Sequence, residues 1–346
     1  MSEDLTFVTG ATGFIGSHVV RLLLQKGKRV RILVRNSSRK KNIEGLGCEV
    51  VIGDLRDSMS LPRCIQGCRT VYHIAADYRL WVKNPQDIYD TNVGGTRNLL
   101  SACCEAGIEK VVYTSTVGTI GMRRDGQPAD EDSPVSLDDM IGHYKRSKFM
   151  AEQVALEFAT SGLPLIIVNP TTPVGAGDIK PTPTGKIILD FIRGRLPAYV
   201  DTGLNIVSVE DTALGHLLAE ERGRIGERYI LGGENLSLRA ILQSLAHHCG
   251  RRMPAVRIPW ILALLFVSMD NLVMGTILGR EPFNPLEGVY MARYKMYVSS
   301  EKARRELRFN PRPADQALRE ALEYFRHEWR AESARNSITN LRTTAT

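Results

Sequence analysis

The chain is poor in the features that would staple it, load it with metal, export it or anchor it. Six cysteines (Cys48, Cys64, Cys68, Cys103, Cys104 and Cys249) are spread through 346 residues. That is too sparse for a disulfide framework in a chain of this length. Cys64 and Cys68 could share a helix face, but no His or Cys partner lies nearby in sequence to complete a zinc site. Reduced thiols in a cytosolic protein are the expectation. The opening MSEDLTFVTG has no basic segment followed by an apolar one, so no secretory signal is expected. No uninterrupted apolar run reaches the ~18 residues needed to span a bilayer; the longest is IPWILALLFV, at 258–267. Zinc-finger spacing and aromatic-rich RNA motifs are missing, and the basic residues behind the net charge of +7 are scattered. Nucleic acid is therefore not an expected partner. An anionic ligand or an anionic membrane surface is left to explain the charge. Apolar residues make up 43% and charged residues 24% of the chain, a balance that excludes disorder throughout.

Two local absences matter more. The end of the second apolar run lacks the Asp or Glu that holds a ribose 2′-hydroxyl, and no acidic residue follows Thr116.

The first 170 residues alternate apolar β-like runs with helical segments. The runs are LTFVTG (5–10), VRILV (30–34), EVVIGD (49–54), TVYHIA (70–75), KVVYTST (110–116) and PLIIVNP (164–170). Helices are predicted at about 13–25, 85–106 and 143–161, with Gly27, Gly107 and Gly162 as C-terminal caps. Strands apolar on both faces, separated by helices, predict a doubly wound α/β domain with a parallel sheet. The dinucleotide-binding domain is expected at 1–170, completed by strands and a helix within about 204–232. A smaller mixed α/β substrate region is expected at 171–203 and 233–333. TTPVGAGDIKPTPTGK (171–186) reads as a long loop, the last helix as 313–331, and 334–346 as a disordered tail.

VTGATGFIG places Gly10, Gly13 and Gly16 between the first strand and the first helix. Glycines there let the backbone turn tightly and approach a pyrophosphate, and the helix N-terminus presents free N–H groups to it. Arg35, Arg39, Lys40 and Lys41 stand at the end of the second strand. Arg35 and Lys41 suit a 2′-phosphate, so NADP is expected over NAD.

GHYKRSKFMAEQVALEF (142–158) sets Tyr144 and Lys148 four residues apart on one helix face. Alone, that pair reads as the polar start of an amphipathic helix. Beside a phosphate cradle and a strand ending at Thr116, it reads as a proton-transfer pair. The Lys148 ammonium and an oxidised nicotinamide ring would both favour the phenolate, and Thr116 would orient the substrate oxygen.

These residues resemble the motifs of the extended short-chain dehydrogenase/reductases, the NAD-dependent epimerase/dehydratase group. The resemblance implies catalytic Thr116, Tyr144 and Lys148. It implies an adenine contact at Asp54, beside Leu55. It also implies a cofactor lining of Thr12, Phe14 and Ile15 in the glycine loop, Ala75 and Ala76 in HIAA, and Pro170. Asn92 resembles the residue that satisfies neighbouring backbone groups in that family. Over nearly the whole chain the sequence is similar to the hopanoid-associated sugar epimerases, carried by HIAADYRLW, SLDDMIGHYKRSKF, VNPTTPVGAGDIKPTPTGKIILDFIRGRLPAYVDTGLN, RYILGGENLSL and KMYVSSEKARRELRF. One departure is Thr116 where many relatives carry serine; the hydroxyl is kept.

Three reactions share such a scaffold. Dehydratases of the family place Asp-Glu after the catalytic Thr, and Val117 and Gly118 cannot act as acid or base, so dehydration is disfavoured. Epimerisation, which the subfamily resemblance implies, is set against reduction of the dihydroflavonol-reductase type, which the Arg35 cluster and the STVGT run at 115–119 resemble. A non-catalytic, dinucleotide-binding regulator is the remaining alternative. Asp77, Tyr78, Trp81, Asn169 and Lys186 are the expected substrate contacts, with Lys186 meeting a phosphate or carboxylate or else standing in solvent. The substrate is expected to be a free or lipid-linked sugar or ketone. The resemblance implies a homodimer through the helices near 85–106 and 143–161. The apolar stretch 258–278 is expected to be a core or interface helix, with an interfacial lipid contact as the alternative. A cytoplasmic protein, with that contact at the inner face of the membrane, follows.

Overall fold

A computed structural model describes residues 4–343 apart from Arg124 and Gly126, with side chains placed as far as Arg330. In chain order, β1 (Leu5–Thr9) leads through the glycine loop into α1 (Phe14–Gln25), then β2 (Arg29–Val34), β3 (Glu49–Ile52), α2 (Leu61–Ile65) and β4 (Cys68–His73). Next, α3 (Gln86–Tyr89) continues through a π-turn at Asp90–Gly94 into α4 (Gly95–Glu105), followed by β5 (Lys110–Thr114), α5 (Gly142–Thr160) and β6 (Leu165–Pro170). Beyond them lie β7 (Thr172–Val174), α6 (Pro183–Ile192), β8 (Ala198–Tyr199), β9 (Gly203–Ser208), α7 (Val209–Arg222), β10 (Arg228–Leu231), β11 (Glu234–Ser237) and α8 (Leu238–Cys249). The chain ends with β12 (Val256–Arg257), α9 (Trp260–Asp270) prolonged by a π-type stretch Asn271–Ile277, α10 (Leu286–Met291), β13 (Lys295–Met296), α11 (Glu301–Leu307) and α12 (Ala314–Thr343).

The large sheet is parallel and runs β10-β6-β5-β4-β1-β2-β3. Its alternate residues serve two cores. Phe7, Val71, Val111, Leu165 and Ile167 pack against α2, α4 and α5 through Leu61, Leu99 and Ala151. Val8, Tyr72, Val112, Ile166 and Val168 pack against α1, α7 and α11 through Val19, Ala213 and Ala303. Burying each such side chain is worth roughly 1.5–3 kcal/mol, which is why the strands read as almost unbroken apolar runs. The strand order reverses between β1 and β4. The crevice above their carboxyl ends is where an open α/β sheet binds its ligand. Gly27, Gly107 and Gly162 take φ of 74°, 63° and 102°, the left-handed geometry of helix caps.

A smaller sheet places β9 between antiparallel β11 and parallel β13, with β7 also paired to β9. Helices α6, α8 and α12 cover it through Ile188, Leu242 and Leu318. Within 204–232, α7 and β10 therefore join the large sheet, while β9 belongs to the small one.

Several expectations are corrected. The stretch 171–186 is not one loop, because β7 and the start of α6 fall within it; Pro183 occupies a first-turn position, where its missing N–H costs nothing. The last helix continues from 331 to Thr343 across the stretch expected to be disordered, since 334–343 holds neither Gly nor Pro to stop it. Residues 344–346 lie outside the described residues. The stretch 258–278 is not a core helix. Only Ala263 and Val267 of α9 are buried, while Phe266 is 72% and Ile277 68% exposed. Its helical part, Trp260–Ile277, is 18 residues long with a mean hydropathy of 1.7, long and apolar enough to cross a membrane by length and composition. The count of uninterrupted apolar residues missed this because Ser268, Asp270 and Asn271 break the run.

Candidate active site

Tyr144, Lys148 and Glu152 follow one another at four-residue steps along α5, so all three face the end of β5. There the chain leaves the sheet through Ser115 and Thr116. Thr116 caps the short turn Val117–Thr119, its hydroxyl accepting the Gly118 N–H at 3.1 Å. The half-buried Tyr144 phenol shares a hydrogen bond with the Thr116 side chain. Burial pushes that phenol above its usual value, and the Thr116 bond pulls the other way.

Lys148 is 2% exposed. Its ammonium donates to the Tyr113 hydroxyl at 3.0 Å and the Thr114 carbonyl at 2.8 Å, and lies 4.7 Å from the centre of the Tyr113 ring. Burial lowers it to about 8, against the attraction of Glu152. Lys148 thus holds the end of β5, and Tyr144 rests protonated.

Below them, His73 is buried and pushed down to about 3, first by desolvation and then by Lys148. The Thr9 hydroxyl accepts the Ile74 and Ala75 N–H groups, both at 3.2 Å, so its proton goes to His73 Nδ1 at 2.8 Å. The Thr96 hydroxyl donates to the Asn92 carbonyl at 2.6 Å, so His73 Nε2–H donates to Thr96 at 3.0 Å. This fixes the tautomer of a neutral His73 and ties the ends of β1 and β4 together. Asn92 accepts the Asp77 N–H at 2.7 Å and donates to the Asp77 carbonyl at 2.9 Å and to Ser147 at 2.9 Å. The backbone-satisfying part expected of it is visible in the two bonds to Asp77.

Glu152 is fully buried, an arrangement that Tyr144-to-Lys148 spacing alone did not reveal. It accepts Thr119 Oγ1 at 2.8 Å, Asn169 Nδ2 at 2.9 Å and Arg228 Nη1 at 3.2 Å. Asn169 also donates to the Thr116 carbonyl at 3.1 Å. Asn169, expected at the substrate, is completely buried beneath Thr116 and positions it. Its Oδ1 has no partner among the described residues.

The glycine loop fits a dinucleotide. A Cβ on Gly10 would stand 2.6 Å from the Ala75 nitrogen, and one on Gly16 would stand 2.2 Å from the Gly10 carbonyl oxygen. Side chains there would fill the cradle. The N-terminus of α1 has no capping side chain and no acidic residue in its first turn, leaving its N–H groups and dipole for a phosphate. Thr12, Phe14 and Ile15 line that loop, and Ala75 and Ala76 follow β4 across the crevice. Asn42, from the far side, donates to the Thr12 carbonyl at 3.4 Å and the Gly177 carbonyl at 3.0 Å, while His18 Nε2 lies 2.9 Å from the Ala176 carbonyl. These lacings were not visible in the sequence.

Arg56 holds the Asp54 carboxyl below the usual range through three bonds, with Arg35 adding a weaker pull. Leu55 is buried against Gly95 of α4, and Pro170 is buried at the end of β6. Arg35 is exposed and has no ion-pair partner among the described residues, whereas Lys41 pairs with Glu328 of α12 at 2.7 Å. That exposed pair ties the turn after β2 to α12.

The substrate expectations divide. The Tyr78 hydroxyl donates to the Lys180 carbonyl at 3.4 Å, and its phenol is pushed up to about 12 by burial and by Asp178, Asp77 and Tyr144. It borders Tyr144. The Asp77 carboxylate is taken by Arg79. Trp81 lies against Gly275, its indole nitrogen 3.4 Å from where a Cβ would be. Lys186 donates to the Phe283 carbonyl and so ties α6 to the segment before α10. In this arrangement it meets protein backbone. Glu287 of α10 was not foreseen. One carboxylate oxygen accepts the His143 N–H at 3.1 Å, and the other is buried without a partner among the described residues. Burial pushes Glu287 up to about 7, against the His143 bond and the Lys145 charge.

A model of the family described as "NAD dependent epimerase/dehydratase family" matches residues 6–232. The chain belongs to that family. It is 47% identical over 94% of its length and 95% of the relative to "Putative dihydroflavonol 4-reductase" of Synechocystis sp.. It is 34% identical to "Sterol demethylase protein B" of Methylococcus capsulatus, over 93% of this chain and 98% of the relative. Among solved structures it is similar to gox2253 (48% identity, TM-score 0.84, covering 94% of this chain and 98% of that one). It is also similar to a nucleoside-diphosphate-sugar epimerase from Pseudomonas aeruginosa (26% identity, TM-score 0.79, covering 94% and 99%). The Rossmann-like sheet and its flanking helices are those of this family, and the protein is an NAD(P)-dependent enzyme of the oxidoreductase type. When bound, the dinucleotide supplies or accepts the hydride. The chain's own part is proton transfer and positioning. The geometry leaves Tyr144 able to exchange a proton with a substrate oxygen aligned by Thr116, and Asn169 and Glu152 hold the Thr116 turn from below.

Proposed function

We propose that this protein is an NADPH-dependent ketone reductase whose substrate has a large apolar body. The observation that carries the reading is the 47% identity along 94% of the chain to a protein named as a reductase. Two further relatives have names that carry lipid-like substrates. One is the sterol demethylase protein; the other is a ketoreductase of a farnesyl-bearing quinoline oxide from Stigmatella aurantiaca, 30% identical over 92% of this chain. A polycyclic lipid of the hopanoid type falls in the same chemical class. A protonated Tyr144 is in the correct state to give its proton to a ketone oxygen, and Arg35 is free to meet a 2′-phosphate.

The second reading is sugar epimerisation, favoured by the Pseudomonas neighbour and by the hopanoid-associated subfamily resemblance. Tyr144 would then act first as base and afterwards as acid, with no net change in the dinucleotide.

The deciding assay mixes purified protein with NADPH and a panel of steroid and prenylated ketones, and follows absorbance loss against alcohol formed. One NADPH consumed per alcohol supports reduction. Inversion of a nucleotide sugar with no net loss of NADPH, and no ketone reduced, transfers the protein to the epimerases.

A further inference from the structure

Twelve of the 21 large apolar side chains exposed among the described residues fall between Ile261 and Tyr294. They form one surface. Ala263 and Val267 turn inward, while Ile261, Leu262, Leu265, Phe266 and Met269 stand on the outer side of α9, and Leu272, Val273, Ile277 and Leu278 prolong it. A stretch this apolar at the surface of a soluble body marks a docking site. It is also rigidly held. Trp260 Nε1 donates to the Val289 carbonyl at 2.7 Å, Asp270 accepts the Asn284 N–H at 3.0 Å, and Asn271 donates to the Asn284 carbonyl at 2.7 Å. These bonds fold α9 and α10 into a fixed hairpin with its apolar side outward.

The surface borders the mouth of the active site. Trp81 packs on Gly275, Lys186 holds the Phe283 carbonyl, and Glu287 of the same hairpin accepts the N–H of His143, next to Tyr144. Its rim is basic. Residues 251–295 carry six basic side chains, Arg251, Arg252, Arg257, Arg280, Arg293 and Lys295, all exposed and with Arg257 paired to Asp201 at 3.2 Å, against three acidic ones. Of those three, Asp270 and Glu287 are spent on backbone N–H groups.

We infer that the α9–α10 hairpin docks this protein on an anionic lipid surface, with the outer side of α9 seated at the headgroup boundary. Apolar side chains entering the boundary and basic side chains meeting lipid phosphates are the two terms that bind such helices. A twofold contact with a second copy would set the basic rim against itself, which disfavours that occupant. A span is disfavoured by Asp270, fixed to Asn284 in mid-helix. The docking argument stands apart from the reaction. Its consequence rests on the reductase reading: a ketone dissolved in the bilayer reaches Tyr144 past Trp81 and Phe283 without crossing water.

The test is flotation of the full chain with phosphatidylcholine vesicles, and with vesicles also holding about one-third phosphatidylglycerol. The protein is expected to float with the mixed vesicles, several-fold less with the neutral ones, and less again in high salt. Phe266→Glu with Met269→Glu is expected to cut flotation about tenfold or more, with melting temperature and turnover of a water-soluble ketone unchanged. No flotation on either vesicle overturns the inference, as does flotation indifferent to the double substitution. Loss of a concentration-dependent dimer in the same variant, without flotation in the parent, gives the surface to a second copy instead. Flotation is read without turnover, so an inactive protein that floats defeats the reductase reading alone.

Discussion

The Lys148 ammonium donates to the Tyr113 hydroxyl at 3.0 Å, although Tyr144 is the phenol with which it shares a helix face. That contact divides the work of the site. Tyr113 and the Thr114 carbonyl hold a buried charge at the end of β5, and Tyr144 is left bonded to Thr116 with its proton in place.

Removing that proton donor is the direct check. Tyr144→Phe is expected to lower kcat by about 10²–10⁴-fold, the usual worth of a positioned acid. Dinucleotide affinity, read by fluorescence titration, should stay within about twofold because the Gly10 cradle is untouched. Turnover preserved in the phenylalanine variant would remove Tyr144 from the chemistry.

Lys148 makes a pH-dependent contribution to stability of known sign. Burial lowers it from 10.5 to about 8 in the folded protein. Between those values the unfolded chain binds more protons, so stability rises with pH through the window and the burial cost is complete below it. Lys148→Met removes both the charge and the cost. Its melting temperature should exceed the parent's at pH 7, with the gap narrowing as pH climbs from about 8 towards 10. Activity should fall at every pH. A gap that is constant with pH would mean that packing, not ionisation, is what changed.

The site was legible in the sequence as far as local spacing reaches. Gly10, Gly13 and Gly16 sit beside one strand and one helix, and Tyr144 and Lys148 within one helical turn, so short-range geometry fixes both. The Lys41 ion pair was not legible because its partner, Glu328, lies 287 residues away. Asn169 was misread because a strand-end polar residue looks alike whether it faces ligand or, as here, Glu152 and the Thr116 carbonyl. The sheet was legible because both its faces are buried and both must be apolar. The same reasoning failed at α9, since an apolar run states what it avoids and not what covers it. Phe266 in a core and Phe266 on a surface are spelled identically.

Two of the four basic residues after β2 separate the cofactor question. Arg35 is exposed and without an ion-pair partner among the described residues, and Lys41 is paired with Glu328. Arg35→Ala is expected to weaken NADPH about tenfold, or about 1.4 kcal/mol, and to leave NADH unchanged. Lys41→Ala should change neither. Equal losses for both cofactors in the Arg35 variant would place that side chain away from the 2′-phosphate.

Glu287 carries the opposite sign from Lys148. Burial pushes its carboxyl up from 4.5 to about 7, against the His143 N–H and the Lys145 ammonium. Between those values the folded protein binds the extra proton, so stability from this group falls as pH rises, and the cost is complete above about 7. Glutamine imitates the protonated acid. Glu287→Gln should therefore melt with the parent near pH 4.5 and above it at pH 8, the gap widening from about pH 4.5 and levelling off just above 7. The second reading is kinetic, because Glu287 anchors the hairpin to the start of α5, next to Tyr144. Ionisation strengthens the bond to the His143 N–H, so the parent's KM for ketone is expected to fall as pH rises through about 7 while the glutamine variant's stays level. A parent and variant with the same KM profile and the same melting curve would make Glu287 a bystander at the mouth of the site.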